Sequence, residues 1–316
     1  MSLLDNLSAY LKCDETSGNL SDATGNGNTF VNNNGATFVT GKINNGVALA
    51  KTSSQYFSIS DAAQVGLNPS TDFSRWLWMN LASIPTFGPF GDYFLFSKSN
   101  EATNNRSYEI YYRNYTTPGF RFVLSPDGSE NSIYDIPYTL SVNTPVHVIF
   151  SWEASISTLT VYVNGSSLGT FKGFTGGGDP YDITSVYNSN APTYIGGYLD
   201  DNNPSGLEFT DAIYYDEIGF RNSVTTSSEA SQLYNGGAGL SYPFVVTTQE
   251  TLTGKGSIFP YADKNSLGRS RITVIENRNL YGKSHVIVPN TVFISSRKKQ
   301  IYNLENLRPI IKGVVS

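Results

Sequence analysis

Two short runs, HVIFSW at residues 147–152 and LTVYVNG at 159–165, decide how this chain folds. In the second, Leu159, Val161 and Val163 alternate with Thr160 and Tyr162, the period of a strand with one face turned to a core. Asn164-Gly165 follows at once and supplies the two residues with positive φ that a type I′ turn requires, so the chain reverses here as a β-hairpin. The same alternation recurs upstream. Tyr108, Ile110 and Tyr112 share one face of 107–113, with Glu109 and Arg113 on the other. Phe120, Phe122 and Leu124 repeat the pattern until Pro126-Asp127-Gly128 breaks it with turn chemistry. These segments predict half-buried antiparallel strands.

Composition extends that reading to most of the 316 residues. The 29 Gly and 14 Pro recur between short apolar runs instead of gathering in one linker, which is the pattern of many strands joined by turns. A single cysteine, Cys13, excludes an intrachain disulfide framework, so the core must hold the fold. The two histidines, His147 and His285, are too far apart in sequence to form a local zinc motif. One helix is predicted near residue 230: Thr226 and Glu229 have capping-box spacing, and Asn235-Gly236 supplies a left-handed stop. It is expected as a lid on one end of a sandwich.

Charge divides the chain near Phe244. Residues 1–244 carry 10 Lys+Arg against 22 Asp+Glu, a formal −12, whereas 245–316 carry 11 against 4, a formal +7. The expected organisation is therefore a sandwich over 1–244 and a basic, β-rich extension over 245–316, with strands at 270–275, 285–288 and 291–294. About 70 residues make a marginal core alone, so the extension is expected to need a neighbour. No stretch of 18 apolar residues occurs, and membrane insertion is not expected. Met1–Tyr10 has neither a basic start nor an apolar run of leader length, and no export leader is expected from it.

Four stretches, taken in order, carry a family resemblance. They are Leu3–Leu7 with Ala9–Gly18; Gly41–Leu49 with Tyr56–Ile59; His147–Trp152 leading into Leu159–Gly165; and Tyr194–Gly197, Tyr215–Gly219 and the segment through Tyr234–Gly237. Together they resemble the laminin-G-like and concanavalin A-like lectin/glucanase jelly rolls over residues 1–244. The resemblance implies an all-β fold of two antiparallel sheets packed as a jelly-roll sandwich with one short terminal helix, and a family in which glycan- or protein-binding modules are frequent. Relatives commonly carry Phe-Asp-Gly where this chain has Leu49-Ala50-Lys51, and that aspartate is often near a structural calcium. Asp216 keeps its matching position. It is the candidate metal ligand here, for a structural Ca²⁺ weakened by the lost carboxylate, since Ca²⁺ needs six to eight oxygen ligands.

Catalysis finds little to stand on. Glycosidases on such sandwiches pair two carboxylates across the bond, in a Glu-x-Asp-x-x-Glu strand that this chain lacks. Among Asp211, Asp216 and Glu217, the odd spacing of the first two puts them on opposite faces of a regular strand. Asp216 is expected to fix a loop and Glu217 to be solvated. His147 reads as a satisfied core or edge histidine, and Cys13 as a small buried hydrophobe. No catalytic residue is assigned.

Sugar sites pair aromatic platforms with Asp, Asn and backbone groups, usually on loops at one end of a sandwich. The loops 86–93, 113–117, 174–182 and 200–203 fit, and the candidate ligand-binding residues are Tyr93, Tyr115, Tyr181, Asp200, Asp201 and Asn202. The scattered cations and net negative charge exclude a nucleic-acid reading. The expected role is a non-catalytic protein of a bacteriophage virion surface, as a head decoration, head fibre or tail-associated subunit. In it the sandwich binds host-surface glycan weakly, the 245–316 segment docks other virion proteins, and oligomerisation supplies avidity. The alternatives are a cement subunit without a glycan site, a bacterial adhesion module and, further off, a glycoside hydrolase.

Overall fold

The computed structural model describes residues 2–85, 92–199 and 207–244, with 207–209 by backbone alone, together with the backbone of 291–292 and 302–303. The chain divides into two units, Met1–Phe244 and Val245–Ser316. In the second, Thr291–Val292 pairs antiparallel with Tyr302–Asn303. The strands expected at 270–275 and 285–288, and the rest of 291–294, lie outside the described residues.

The first unit is a sandwich of two antiparallel sheets. In one, the order is β13 (Ser166–Lys172), β12 (Thr158–Val163), β11 (Val146–Glu153), β6 (Phe73–Leu81), β17 (Ala212–Arg221), β4 (Asn45–Leu49) and β3 (Thr37–Thr40), with β1 (Leu7–Leu11) also paired to β17. In the other it is β10 (Ser132–Pro137), β9 (Gly119–Leu124), β8 (Asn105–Arg113), β7 (Tyr93–Asn100), β14 (Thr193–Ile195), β5 (Tyr56–Ile59) and β2 (Val31–Asn33). The predicted hairpin joins β12 to β13: Val163 pairs with Ser166, and Asn164 (φ 50°) and Gly165 (φ 76°) both take the positive φ of a type I′ turn.

Alternating residues of both sheets meet in one aromatic core. Phe73, Phe150 and Phe220 from the eight-stranded sheet contact Tyr108, Phe120, Phe122 and Phe96 from the seven-stranded sheet, with ring centroids 5.3–6.2 Å apart. Tyr108, Ile110 and Tyr112 line this core as their spacing predicts. Inside it lies Arg75, fully buried. Its guanidinium sits 4.9–5.1 Å from the rings of Phe73, Tyr108 and Phe220 and donates to the carbonyls of Ser74, Leu67 and Arg221. Ring faces and carbonyl dipoles together replace the water this cation has lost.

The central strands are buried on both faces, because both outer faces are covered, whereas the edge strands β2, β3 and β13 stay largely exposed. On the seven-stranded sheet, β15 (Gly197–Leu199) and β16 (Leu207–Phe209) form a flap whose Tyr198 stacks on Phe94 at 4.2 Å and packs with Tyr111 and Val123. Glu109, expected on a solvated face, is thereby buried. On the eight-stranded sheet, the segment after β17 runs back across the outside and carries α1 (Ser227–Tyr234). Thr226 and Glu229 close the predicted capping box, and Asn235 takes the left-handed C-cap. The helix is not an end lid: Tyr234 stacks on Trp78 at 5.6 Å, and Tyr162 donates to the Thr225 carbonyl, both from the outer face of the sheet. His147 lies under the same cover against Trp78, and burial pushes its imidazole down to about 3. Among the described residues Nδ1 has no partner, so the histidine is buried and neutral but not fully satisfied.

Trp76 packs flat over Gly219, where a Cβ would lie 2.0 Å from the indole. The indole cannot yield, because Tyr10 packs against it at 6.3 Å and Tyr10 is itself covered by Tyr242 and Phe244. Gly219→Ala is therefore expected to cost roughly 2–3 kcal/mol by overpacking, read as a lowered midpoint in urea unfolding. An unchanged midpoint would mean that the outer cover is loosely held.

Candidate functional site

Two places on the first unit hold chemistry worth weighing. The first is the bulge in β17. Asp216 pairs with Trp78, the register then slips, and Glu217 takes a left-handed φ of 51°. Asp216 is fully buried. Its Oδ2 accepts from the Lys42 and Ile43 amides and its Oδ1 from the Glu217 amide, each at 2.8 Å. It thus pins the 41–44 turn, as expected. Glu217 is not solvated: it is 2% exposed, its Oε2 accepts from the Tyr10 hydroxyl, and its Oε1 is buried with no partner among the described residues. Desolvation pushes Asp216 up to about 8, opposed by its backbone donors, and Glu217 up to about 7.

This carboxylate pair has no access for a substrate. Strand, turn and the 240–244 segment enclose it, and it lines neither of the clefts described below. Nor do the surroundings of Asp216 fit calcium: three amide donors point at it, where the ion needs a shell of oxygens. Among the described residues no group of three or more His, Cys, Asp or Glu side chains is placed to hold a metal. Cys13 is buried as expected, and burial raises its thiol well above the usual range.

The second place is the outer margin of the seven-stranded sheet, where two clefts open at opposite ends of the edge strand β10. One, of about 260 Å³, lies where β8 ends and β9 begins. Arg113, Tyr115, Arg121, Asp135 and Pro137 line it. Tyr111, Arg121 and Asp135 are cross-strand neighbours on the outer face. Arg121 grips Asp135 with two bonds of 2.6 and 2.7 Å. The Arg113 guanidinium lies over the Tyr115 ring at 3.8 Å. Gly119 forms part of the wall, and a Cβ there would meet the Ile136 carbonyl at 2.3 Å. The other cleft, of about 350 Å³, is lined by Glu130, Asn131, Ile133, Thr175, Gly176 and Tyr181. Tyr181 donates to Glu130 at 2.5 Å, and this bond pushes its phenol up to about 12. Both clefts sit near the small end of ligand-pocket sizes.

The candidate residues are thus not gathered at one end. Tyr115 belongs to the Gly119/Pro137 end of β10 and Tyr181 to the Ser132 end, five strand steps or roughly 17 Å apart. Tyr93 is 4% exposed, with its ring in the core and its hydroxyl on Ser83 at 2.5 Å, so it offers no platform. Asp200, Asp201 and Asn202, with the 86–91 stretch, lie outside the described residues. Arg113, Arg121 and Asp135 join the site unpredicted as ligand groups. The strand parity of Arg113 already put it on the outer face, but nothing local to Arg121 points across two strands to Asp135.

Two antiparallel sheets in this strand order, an aromatic core and a terminal helix laid over one face complete the architecture. Residues 51–207 match the family model described as the concanavalin A-like lectin/glucanases superfamily. The fold is concanavalin A-like. No curated protein matches the chain. Among solved structures, the concanavalin A-like sandwich is similar to domain 4 of AbnA, a GH43 extracellular arabinanase from Geobacillus stearothermophilus, in complex with arabinotriose. The TM-score is 0.52 at 17% identity, over 72% of this chain and 97% of that one. It is also similar to the binding domain of Paraclostridial Mosquitocidal Protein 1, with TM-score 0.56 and 16% identity over 74% and 53%. A third is the botulinum neurotoxin serotype D ligand binding domain in complex with N-acetylneuraminic acid, with TM-score 0.50 and 13% identity over 74% and 51%. This chain spans about half the length of the two toxin domains. At such identities the likeness is one of fold.

Proposed function

We propose that residues 1–244 form a non-catalytic carbohydrate-binding module that reads glycan along the outer margin of its seven-stranded sheet. The observation that carries this reading is the pair of clefts flanking β10, each combining a half-buried tyrosine with polar and charged groups, the mixture that sugar faces and hydroxyl rims require. Solved neighbours of the same fold, holding arabinotriose in one case and N-acetylneuraminic acid in another, support it. The non-catalytic part is supported by the carboxylates of β17, which lie buried beneath a cover, with both Asp216 oxygens held by backbone amides and Glu217 Oε2 by Tyr10.

The experiment is a glycan array with the full chain, followed by calorimetry on the hits and an assay for new reducing ends. Binding without reducing-end release is expected. Tyr181→Ala is expected to weaken a glycan that reaches the second cleft by about tenfold, the scale of one aromatic contact. Silence across neutral and charged glycans, or release of reducing ends, would overturn the reading.

We further infer a setting on a virion surface, with 245–316 as the anchoring segment and many copies supplying avidity to a weak site. The opposite charges of the two parts, −12 and +7, support a separate partner for the second. Mass spectrometry of purified particles tests this: the chain is expected among virion proteins, and its absence from them would end the idea.

A further inference from the structure

The cleft at the Arg113 end has a feature that a neutral sugar does not use. Among the described residues the Arg113 guanidinium has no hydrogen-bond acceptor and no carboxylate within ion-pair distance, and its Nε is buried and unpartnered. Other cations of this unit do find acceptors: Arg75 and Arg221 each hold at least three carbonyls, Lys98 holds Asp61 and the Ala191 carbonyl, and Arg106, whose Nε is also buried and unpartnered, holds Glu101 and the Ser129 carbonyl. Arg113 is instead stacked on Tyr115, which fixes the plane of its fork at the cleft wall and leaves its donors for something else.

The surroundings favour an anion. Arg121 lines the same cleft with its own charge spent on Asp135, so the pair leaves Arg113 in excess. Burial pushes Asp92 up to about 6, with Arg113, Arg121 and Lys51 opposing the shift, so three cations face two carboxylates, Asp92 and Asp135, in this corner of a unit whose formal charge is −12. A planar fork with parallel N–H groups matches a carboxylate in two-point geometry. Gly119 lets β9 and β10 approach closely at this wall, where a Cβ would meet the Ile136 carbonyl.

We propose that this cleft is a subsite for a carboxylate-bearing sugar, a hexuronic or other sugar acid, held by Arg113 against the Tyr115 and Arg121 walls. The inference rests on the carbohydrate-binding reading above and narrows its ligand class. Local positive charge then selects acidic glycan for a protein whose overall charge would repel it, so the selectivity is set by one residue and is sensitive to salt.

The test uses the full chain with oligogalacturonate and with the same oligomers fully methyl-esterified, by calorimetry at low and at physiological salt. The free acid is expected to bind at least tenfold tighter than the ester, with the gap narrowing as salt rises. Arg113→Gln is expected to abolish the gap without shifting the thermal midpoint, and Arg113→Lys, which keeps the charge but not the fork, to retain part of it. Equal binding of acid and ester, or a gap that survives Arg113→Gln, overturns this inference while leaving the module a carbohydrate binder. Binding of polyglutamate as tight as that of the oligogalacturonate overturns the sugar part of it. No binding to either oligomer or to any neutral glycan overturns both readings.

Discussion

Replacing Arg221 with alanine is expected to lower the stability of the first unit by roughly 3–5 kcal/mol, the cost of leaving one partner of a buried ion pair alone. Arg221 is fully buried at the end of β17 and meets Glu229 of α1 at 2.9 Å. The same guanidinium donates to the carbonyls of Ser2, Asp5 and Val224. One side chain therefore ties the amino terminus, the closing strand and the helix cap to the eight-stranded sheet. Alanine strands three carbonyls and the Glu229 carboxylate, which also carries the capping box with Thr226. At about 2–4 °C per kcal/mol for a unit of this size, the midpoint should fall by roughly 6–20 °C. Glu229→Gln, which keeps an acceptor for the cap, should cost less. A loss below about 1 kcal/mol for Arg221→Ala would place the pair with ordinary surface ion pairs.

The second large effect is a loss of stability with rising pH between 6.5 and 8.5, by roughly 3 kcal/mol. Burial raises Asp216 to about 8 and Glu217 to about 7, so both keep protons in the folded chain that the unfolded chain has already released. The stabilisation is complete below the unfolded carboxylate range near pH 4. It is lost as pH climbs through 7 and 8, because each unit of displaced pKa is about 1.4 kcal/mol. His147 works oppositely: neutral in the fold down to about 3, it costs stability only as pH falls below its usual 6.5. The window from 6.5 to 8.5 therefore isolates the carboxylates. Urea unfolding should show the decline in the wild type and a shallower one in Glu217→Gln, whose amide still accepts from Tyr10. Stability that is level or rising across the window would mean that both groups are ionised in the fold, held so by the amides and hydroxyls around them.

What could be read from the residues alone was what short spacing encodes. Asn164-Gly165, the Thr226/Glu229 capping box and the alternation of Tyr108, Ile110 and Tyr112 each have their causes within a few positions, and each forms as expected. The buried charges were illegible for the converse reason. Arg75 reaches a carbonyl 146 positions away, and Glu217 meets a tyrosine 207 positions away, so their sequence context is that of solvated strand residues. Glu109 was misread because alternation says which face a residue takes, and says nothing of what later covers that face. Here the cover comes from the β15–β16 flap, some 90 residues on.

The candidate site divides along the same line. Tyr115 and Tyr181 were legible as aromatic residues in polar loops, whereas Tyr93, in the same kind of setting, is a core residue because it opens the strand β7. Sequence offered no way to tell them apart. The separation of Tyr115 from Tyr181 depends on the pairing of β9 with β10, which runs one loop to each end of the edge strand. Arg113 gains its meaning only once Tyr115 folds back beneath it.

Hydrogen exchange of the full chain with and without oligogalacturonate tests the central claim most directly, since it reports where ligand sits without altering any residue. Slowed exchange is predicted over 113–121 and 133–137, with oligomer length unchanged at the end and no change at 214–217. Protection centred on 214–217 and 240–244, or shortening of the oligomers, would contradict a non-catalytic reader of glycan on the outer margin of the seven-stranded sheet, and no protection anywhere would contradict the acid-sugar subsite.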